Sequence, residues 1–186
     1  MIPLFSMRLA FTDSGNDPAT LITRQAYDLI SAGFGPGFNG PLVLAAELPG
    51  GSQGRATVTA LDHRLAAVRG VARVQAPAYN PAGDAAVIIA YPDTAPQAAA
   101  TAALVQHLRA TVIPRATAGR GVTVFVGGET AAGIDASAYL AHRLPLVIGL
   151  VILLSFLLLM VVFRSVAIPL TAAVMNLLSI GAAYGP

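Results

Sequence analysis

Cysteine is absent from the 186 residues, so the chain holds no disulfide, no thiolate metal site and no cysteine nucleophile. Lysine is absent too: all 11 basic residues are arginine, set against 9 acidic ones. Alanine, glycine and proline abound, which points to a coding bias toward GC-rich codons. A nucleic-acid surface would cluster its basic residues and interleave aromatics, whereas here the arginines are scattered and the aromatics sparse. Charge is scarce overall, 11% of residues against 55% hydrophobic. That is the balance of an integral membrane protein with room for one soluble domain of about 140 residues.

Charge is missing altogether between Arg143 and Arg164. Those twenty residues include seventeen Leu, Ile, Val, Phe or Met. Twenty residues are enough to cross a ~30 Å hydrocarbon core as a helix. On the insertion scale the apolar residues sum to roughly −5 to −10 kcal/mol. Pro145 is expected in the first turn of this helix, where its missing N–H costs little. A second uncharged stretch, Val166–Tyr184, follows after a tight turn. It is less apolar and carries Thr171, Asn176, Ser179 and the run from Gly181 to Gly185. Small residues four apart let helix backbones approach, and Asn hydrogen-bonds between helices. Asn176, Gly181 and Gly185 are therefore the expected helix-packing residues.

The region ahead of the spans reads as a small α+β domain. Met1–Phe11 is apolar but short and lacks the features of a signal peptide. Asp17-Pro18 predicts a helix start, with Asp as N-cap and Pro at the first helical position. That helix runs to Ala32, and Gly33 ends it. Strands are predicted at 42–48, 71–76, 86–91 and 122–126. A helix carrying Val58, Leu61, Leu65 and Val68 on one face separates the first two strands. Another, capped by Thr94 and carrying Leu104, Val105, Leu108 and Val112, separates the last two. Pro114–Gly121 reads as a loop, and Thr130 as the cap of an Ala-rich helix that runs toward the first span. The order strand–helix–strand–strand–helix–strand is the split βαβ, ferredoxin-like arrangement.

Several motifs invite chemistry. Gly35–Gly40 matches G-x-G-x-x-G, but a helix precedes it and a strand follows, the reverse of a dinucleotide site. Gly50–Gly54 matches G-x-S-x-G, which would make Ser52 a nucleophile with Asp84 or Asp93 and His107 as partners. That elbow belongs on a large parallel sheet, which the remaining length does not provide. His63, His107 and His142 show no metal-ligand spacing. Glu129 and Asp135 stand just before the first span, where an acid caps or solvates a helix start or serves a proton path. No acid lies inside either uncharged stretch.

Arg143-Leu-Pro-Leu, the run Leu154–Ser165 and the run Met175–Gly185 resemble the MMPL transporters of the resistance-nodulation-division superfamily. The runs Arg24–Leu29, Phe34–Leu42 and Gly127–Ala131 fit the same family. The resemblance implies a twelve-helix, proton-driven exporter of the plasma membrane with two extracytoplasmic porter domains. This chain matches the second porter domain and the eighth and ninth helices. The expected division is an N-terminal extension at 1–17, a porter domain at 18–142, and transmembrane helices at 143–164 and 165–186. Residues 1–142 are expected outside the cell in a multi-pass plasma-membrane protein. The implied partners are the lipid bilayer, the remaining helices and first porter domain of such a transporter, and a lipid or other hydrophobic cargo, with no nucleic acid. The family's proton relay lies on its fourth and tenth helices, neither of which is here. No catalytic, cofactor-binding or metal-ligating residue is assigned, and no cofactor. The expected function is that of part of a lipid exporter, inactive alone. Its rivals are a self-standing membrane-anchored module that binds a lipid or partner, and a membrane-anchored hydrolase using Ser52.

The two uncharged stretches predict that the chain stays with the membrane pellet through carbonate washing. Leu154→Arg should weaken insertion by about 2.5–3.5 kcal/mol. Recovery of the intact chain in the soluble fraction would contradict both.

Overall fold

The computed structural model describes residues 12–49 and 52–163, together with Thr171, Val174, Met175, Leu178 and Ser179. Asn176, Gly181 and Gly185 lie outside the described residues. Four strands, β1 (Leu42–Glu47), β2 (Val71–Tyr79), β3 (Ala85–Pro92) and β4 (Thr123–Gly127), form one antiparallel sheet in the order β2-β3-β1-β4. Helix α2 (Ser52–Ala66) connects β1 to β2, and α3 (Ala99–His107) begins the connection from β3 to β4. This is the βαββαβ topology expected from the element order.

Side-chain alternation places the core on one sheet face. Along β1, Leu42, Leu44 and Ala46 are buried while Ala45 and Glu47 are exposed. Leu44 stands opposite Ile88 on one side and Val126 on the other, and all three are buried. Val58, Leu61 and Leu65 of α2 and Leu104, Val105 and Leu108 of the second crossover close over this row. The other face stays open, with Phe125 and Val87 exposed.

Proline positions account for most boundary differences from expectation. The second strand was expected at 71–76, yet β2 continues through Pro77 to Tyr79. β2 is an edge strand, and its register shifts between Gln75 and Ala78, so the missing N–H of Pro77 falls where the ladder is already irregular. Pro114 was expected to open a loop. Instead a π-helical turn, Leu108–Val112, follows α3, and α4 (Ile113–Thr117) takes Pro114 in its first turn, where no N–H is needed. Pro145 lies deep inside α5 (Glu129–Phe163), because that helix starts fifteen residues before the uncharged stretch that begins at Leu144. There it removes the bond its N–H would make to the Ala141 carbonyl.

The caps differ as well. α1 spans Ile22–Phe34 and has Leu21 at its N-cap, not Asp17. Pro18 instead begins a turn closed by Leu21 N–H on the Pro18 carbonyl, and the Asp17 carboxylate accepts from Thr23 Oγ1. Thr94 stands ahead of α3, where Ala98 is the N-cap, and pairs its hydroxyl with that of Thr101. Thr130 lies within the first turn of α5 and donates to the Gly40 carbonyl.

Gly37 and Gly40 permit close backbone approach. A Cβ on Gly37 would overlap the Pro92 carbonyl, and one on Gly40 would overlap Thr130 Oγ1. The 3-10 turn Pro36–Asn39 is thereby held against the end of β3, with Phe38 stacked on Tyr91 at 4.2 Å. Gly37→Ala should cost about 1–3 kcal/mol through backbone displacement. A lowered Tm in detergent, with retained far-ultraviolet helix signal below it, is the expected measurement.

Candidate functional site

Two polar clusters flank the start of α5, and both are built within residues 12–135, which belong to one compact unit. The first centres on Arg109 in the π-turn. Its Nη1 donates to Asp135 Oδ1 at 2.5 Å, and its Nη2 donates to Asp135 Oδ2 at 2.8 Å and to the Val126 carbonyl at 2.7 Å. A two-pronged pair of this kind matches the planar fork of guanidinium to carboxylate. The hydrogen bond to Asp135 holds the Arg109 guanidinium more firmly charged than usual, with burial opposing it. Asp135 is thus neither a helix cap nor unpaired.

The second cluster surrounds a cavity of about 540 Å³ between the 3-10 turn Ser14–Asn16, α1 and the first residues of α5. Asp13, Asp17 and Glu129 supply carboxylates to its wall, and Tyr27, Asn39 and Thr130 supply neutral polar groups. The chain's own donors engage much of this lining. Asp13 Oδ1 accepts from Gly15 N–H at 2.8 Å and from Gln97 Nε2 at 2.6 Å. Asn39 Nδ2 donates to the Tyr27 carbonyl and to Ser31 Oγ, which ties α1 to the turn that follows it. Burial, then the neighbouring Asp13 charge and a hydrogen bond to it, raises the Tyr27 phenol above its ordinary pKa. Among the described residues no group of three His, Asp or Glu is arranged to hold a metal ion.

The other sequence motifs fall apart in space or in role. Ser52 is the exposed first residue of α2, in a sheet whose pairings are all antiparallel, so the parallel-sheet elbow is not formed. Asp84 accepts from Asn80 Nδ2 in the β2–β3 turn. His63, His107 and His142 are exposed on three different helices. The G-x-G-x-x-G stretch is the 3-10 turn that packs against β3 and α5. Sequence reasoning missed Arg109. Its partners stand 17 and 26 residues away, and no local spacing announces them.

α1 carries a second feature of note. Ile22, Leu29 and Phe34 are 83%, 74% and 67% exposed, and no residue of the helix is buried. Its Arg24–Asp28 pair marks the polar side. Farther along, the apolar stretch of α5 is unburied, with Leu158 and Val161 at 68% and 74% exposure.

Alkaline titration followed by phenolate absorbance tests the Tyr27 environment. A fully reversible titration should show a late-ionising component. Tyr27→Phe should remove that component. Because the folded pKa is raised, the neutral phenol's contribution to stability is present below the unfolded value. It is lost as pH rises through the folded one.

Comparison with known proteins identifies the family. The family model described as "MMPL family" matches residues 47–186. Membrane protein YdfJ of Bacillus subtilis is 33% identical over 192 residues, covering 99% of this chain and 25% of that protein. The mycolic acid-containing lipids exporter MmpL11 of Mycolicibacterium smegmatis is 28% identical over 188 residues, covering 98% of this chain and 20% of that protein. The heme uptake protein MmpL11 of Mycobacterium tuberculosis H37Rv is 30% identical over 156 residues, covering 82% of this chain and 16% of that protein. The chain spans a quarter or less of the length of these relatives. MMPL is a transporter family rather than an enzyme family, and with three quarters of its residues inside the family match, the chain belongs to the MMPL family.

Proposed function

We propose that this chain supplies an extracytoplasmic porter domain and a pair of transmembrane helices to a proton-driven exporter of lipids or other hydrophobic molecules in the plasma membrane. The observation that carries the proposal is α5. A 35-residue helix begins within the α+β domain and continues through the uncharged stretch ending at Phe163. At about 1.5 Å per residue it is long enough to cross the hydrocarbon core with turns to spare. The domains proposed are those of the sequence: 18–142 outside the membrane, 143–164 and 165–186 within it. Arg164, between the two uncharged stretches, then faces the cytoplasm, in keeping with the positive-inside rule.

The names of two relatives support an apolar cargo, since one is called an exporter of mycolic acid-containing lipids and the other a heme uptake protein. The exposed apolar side of α1, along Ile22, Leu29 and Phe34, supports a protein partner. We assign that face to the first porter domain of the same transporter, and Asn176, Gly181 and Gly185 to packing against its remaining helices. A proton-coupled exporter needs titratable groups within the membrane. The two uncharged stretches carry no acid, arginine or histidine, so proton coupling comes from helices other than these.

The test is reconstitution in proteoliposomes with an imposed proton gradient and a fluorescent lipid cargo. The 186-residue chain alone should show no gradient-dependent movement. The chain combined with the remaining helices and first porter domain of a relative such as YdfJ should show it. Gradient-driven movement by the chain alone would overturn the proposal.

A further inference from the structure

The passage from β4 to α5 is made by Gly127-Gly128, and Gly128 sits at φ +94. Two adjacent glycines give this junction more backbone freedom than any other residue pair. One side chain grips both sides of it. Arg109 Nη2 donates to the Val126 carbonyl, immediately before the glycines, and the Arg109 fork holds Asp135, in the second turn after them. Thr130 Oγ1 makes a buried bond to the Gly40 carbonyl close to the pivot. Asp135 lies five residues beyond Thr130, roughly 7.5 Å farther along the helix. The Thr130 bond therefore acts near the pivot, and the Arg109 fork acts at the end of a longer arm.

The fork is also the tie that water can reach. The Arg109 and Asp135 side chains are 29% and 54% exposed. An exposed ion pair is weak because water and salt compete for both partners. Arg109 itself projects from a π-turn, a widened turn that recurs at functional sites in helices.

We propose that Arg109 is a latch across a glycine hinge. Closed, it makes residues 129–135 move with the sheet; open, it leaves the first two turns of α5 held only by the buried Thr130 bond and the packing of Ala131 and Ile134, so that they open locally about Gly127-Gly128 more often. Arg109 is a positioning residue and touches no cargo in this role. The inference rests on the described geometry alone and stands whether or not the transport proposal holds.

Hydrogen exchange on the full chain in detergent tests it. Arg109→Gln should speed exchange across 129–138 by about tenfold while leaving 52–66 unchanged, a local opening rather than a global one. Arg109→Lys keeps the charge but cannot hold both sides of the hinge, and should behave like Arg109→Gln. Gly127→Ala fits the space present, since a Cβ there comes no nearer than 3.7 Å to the Val43 carbonyl oxygen. By stiffening the hinge, Gly127→Ala should suppress the effect of Arg109→Gln in the double variant. Three results would overturn the latch: unchanged exchange at 129–138 in Arg109→Gln, equal acceleration in 52–66, or no suppression by Gly127→Ala.

Discussion

Twenty consecutive uncharged residues wound into a helix are the constraint to which the rest of the chain answers. Such a helix satisfies its backbone internally, so lipid can surround it. It has no polar face, so water cannot cover part of it as it covers the outer side of a soluble helix. The remainder of the sequence is complementary. All nine acids precede Ala136, and beyond it the arginines at 143 and 164 bracket the uncharged stretch. The ionised residues are thus concentrated in the segment whose sheet and crossover helices enclose a hydrophobic core.

Within that core, the sheet is covered on one side only. Leu42, Leu44, Ile88 and Val126 meet the crossover helices, while Phe125 and Val87 remain on the open side. Backbone approach, rather than side-chain bulk, fixes how the edges of this layer are closed. Gly37 brings the Pro36–Asn39 turn onto the end of β3, and Gly40 leaves room for Thr130 at the start of α5. Through Asn39 the same turn carries α1, whose apolar stripe is left outward. That helix is attached by polar bonds and, among the described residues, exposes its apolar side.

The start of α5 is where the two halves of the sequence meet, and it is held by chemistry drawn from distant segments. The buried Thr130 bond comes from the turn before β1, and the Arg109 fork comes from the crossover before β4. These ties differ in kind. One is a neutral bond shielded from water, costly to leave unmade. The other is an ion pair open to solvent, cheap to exchange. The first turns of α5 thus carry one fixed and one exchangeable tie.

The sequence by itself determined the strand–helix order, the core positions and the uncharged helix. These follow from local periodicity: Val58, Leu61 and Leu65 at helical spacing, the alternation through Leu42, Leu44 and Ala46, and a run long and apolar enough to cross a membrane. The G-x-G-x-x-G stretch was legible as a turn, because a helix stood before it and a strand after. What the tertiary structure decided were the meanings of prolines, caps and isolated charges. Pro77 fits a strand only because β2 is an edge with a shifted register. Pro114 fits a helix only because a widened turn precedes it. Asp17 and Thr130 have the right chemistry for caps, but their oxygens are claimed by Thr23 and by Gly40. Arg109 and Asp135 look like two solvated charges until folding brings them together. Periodicity is a property of neighbours along the chain, whereas a hydrogen bond between residues 26 or 90 apart exists only after the fold has closed.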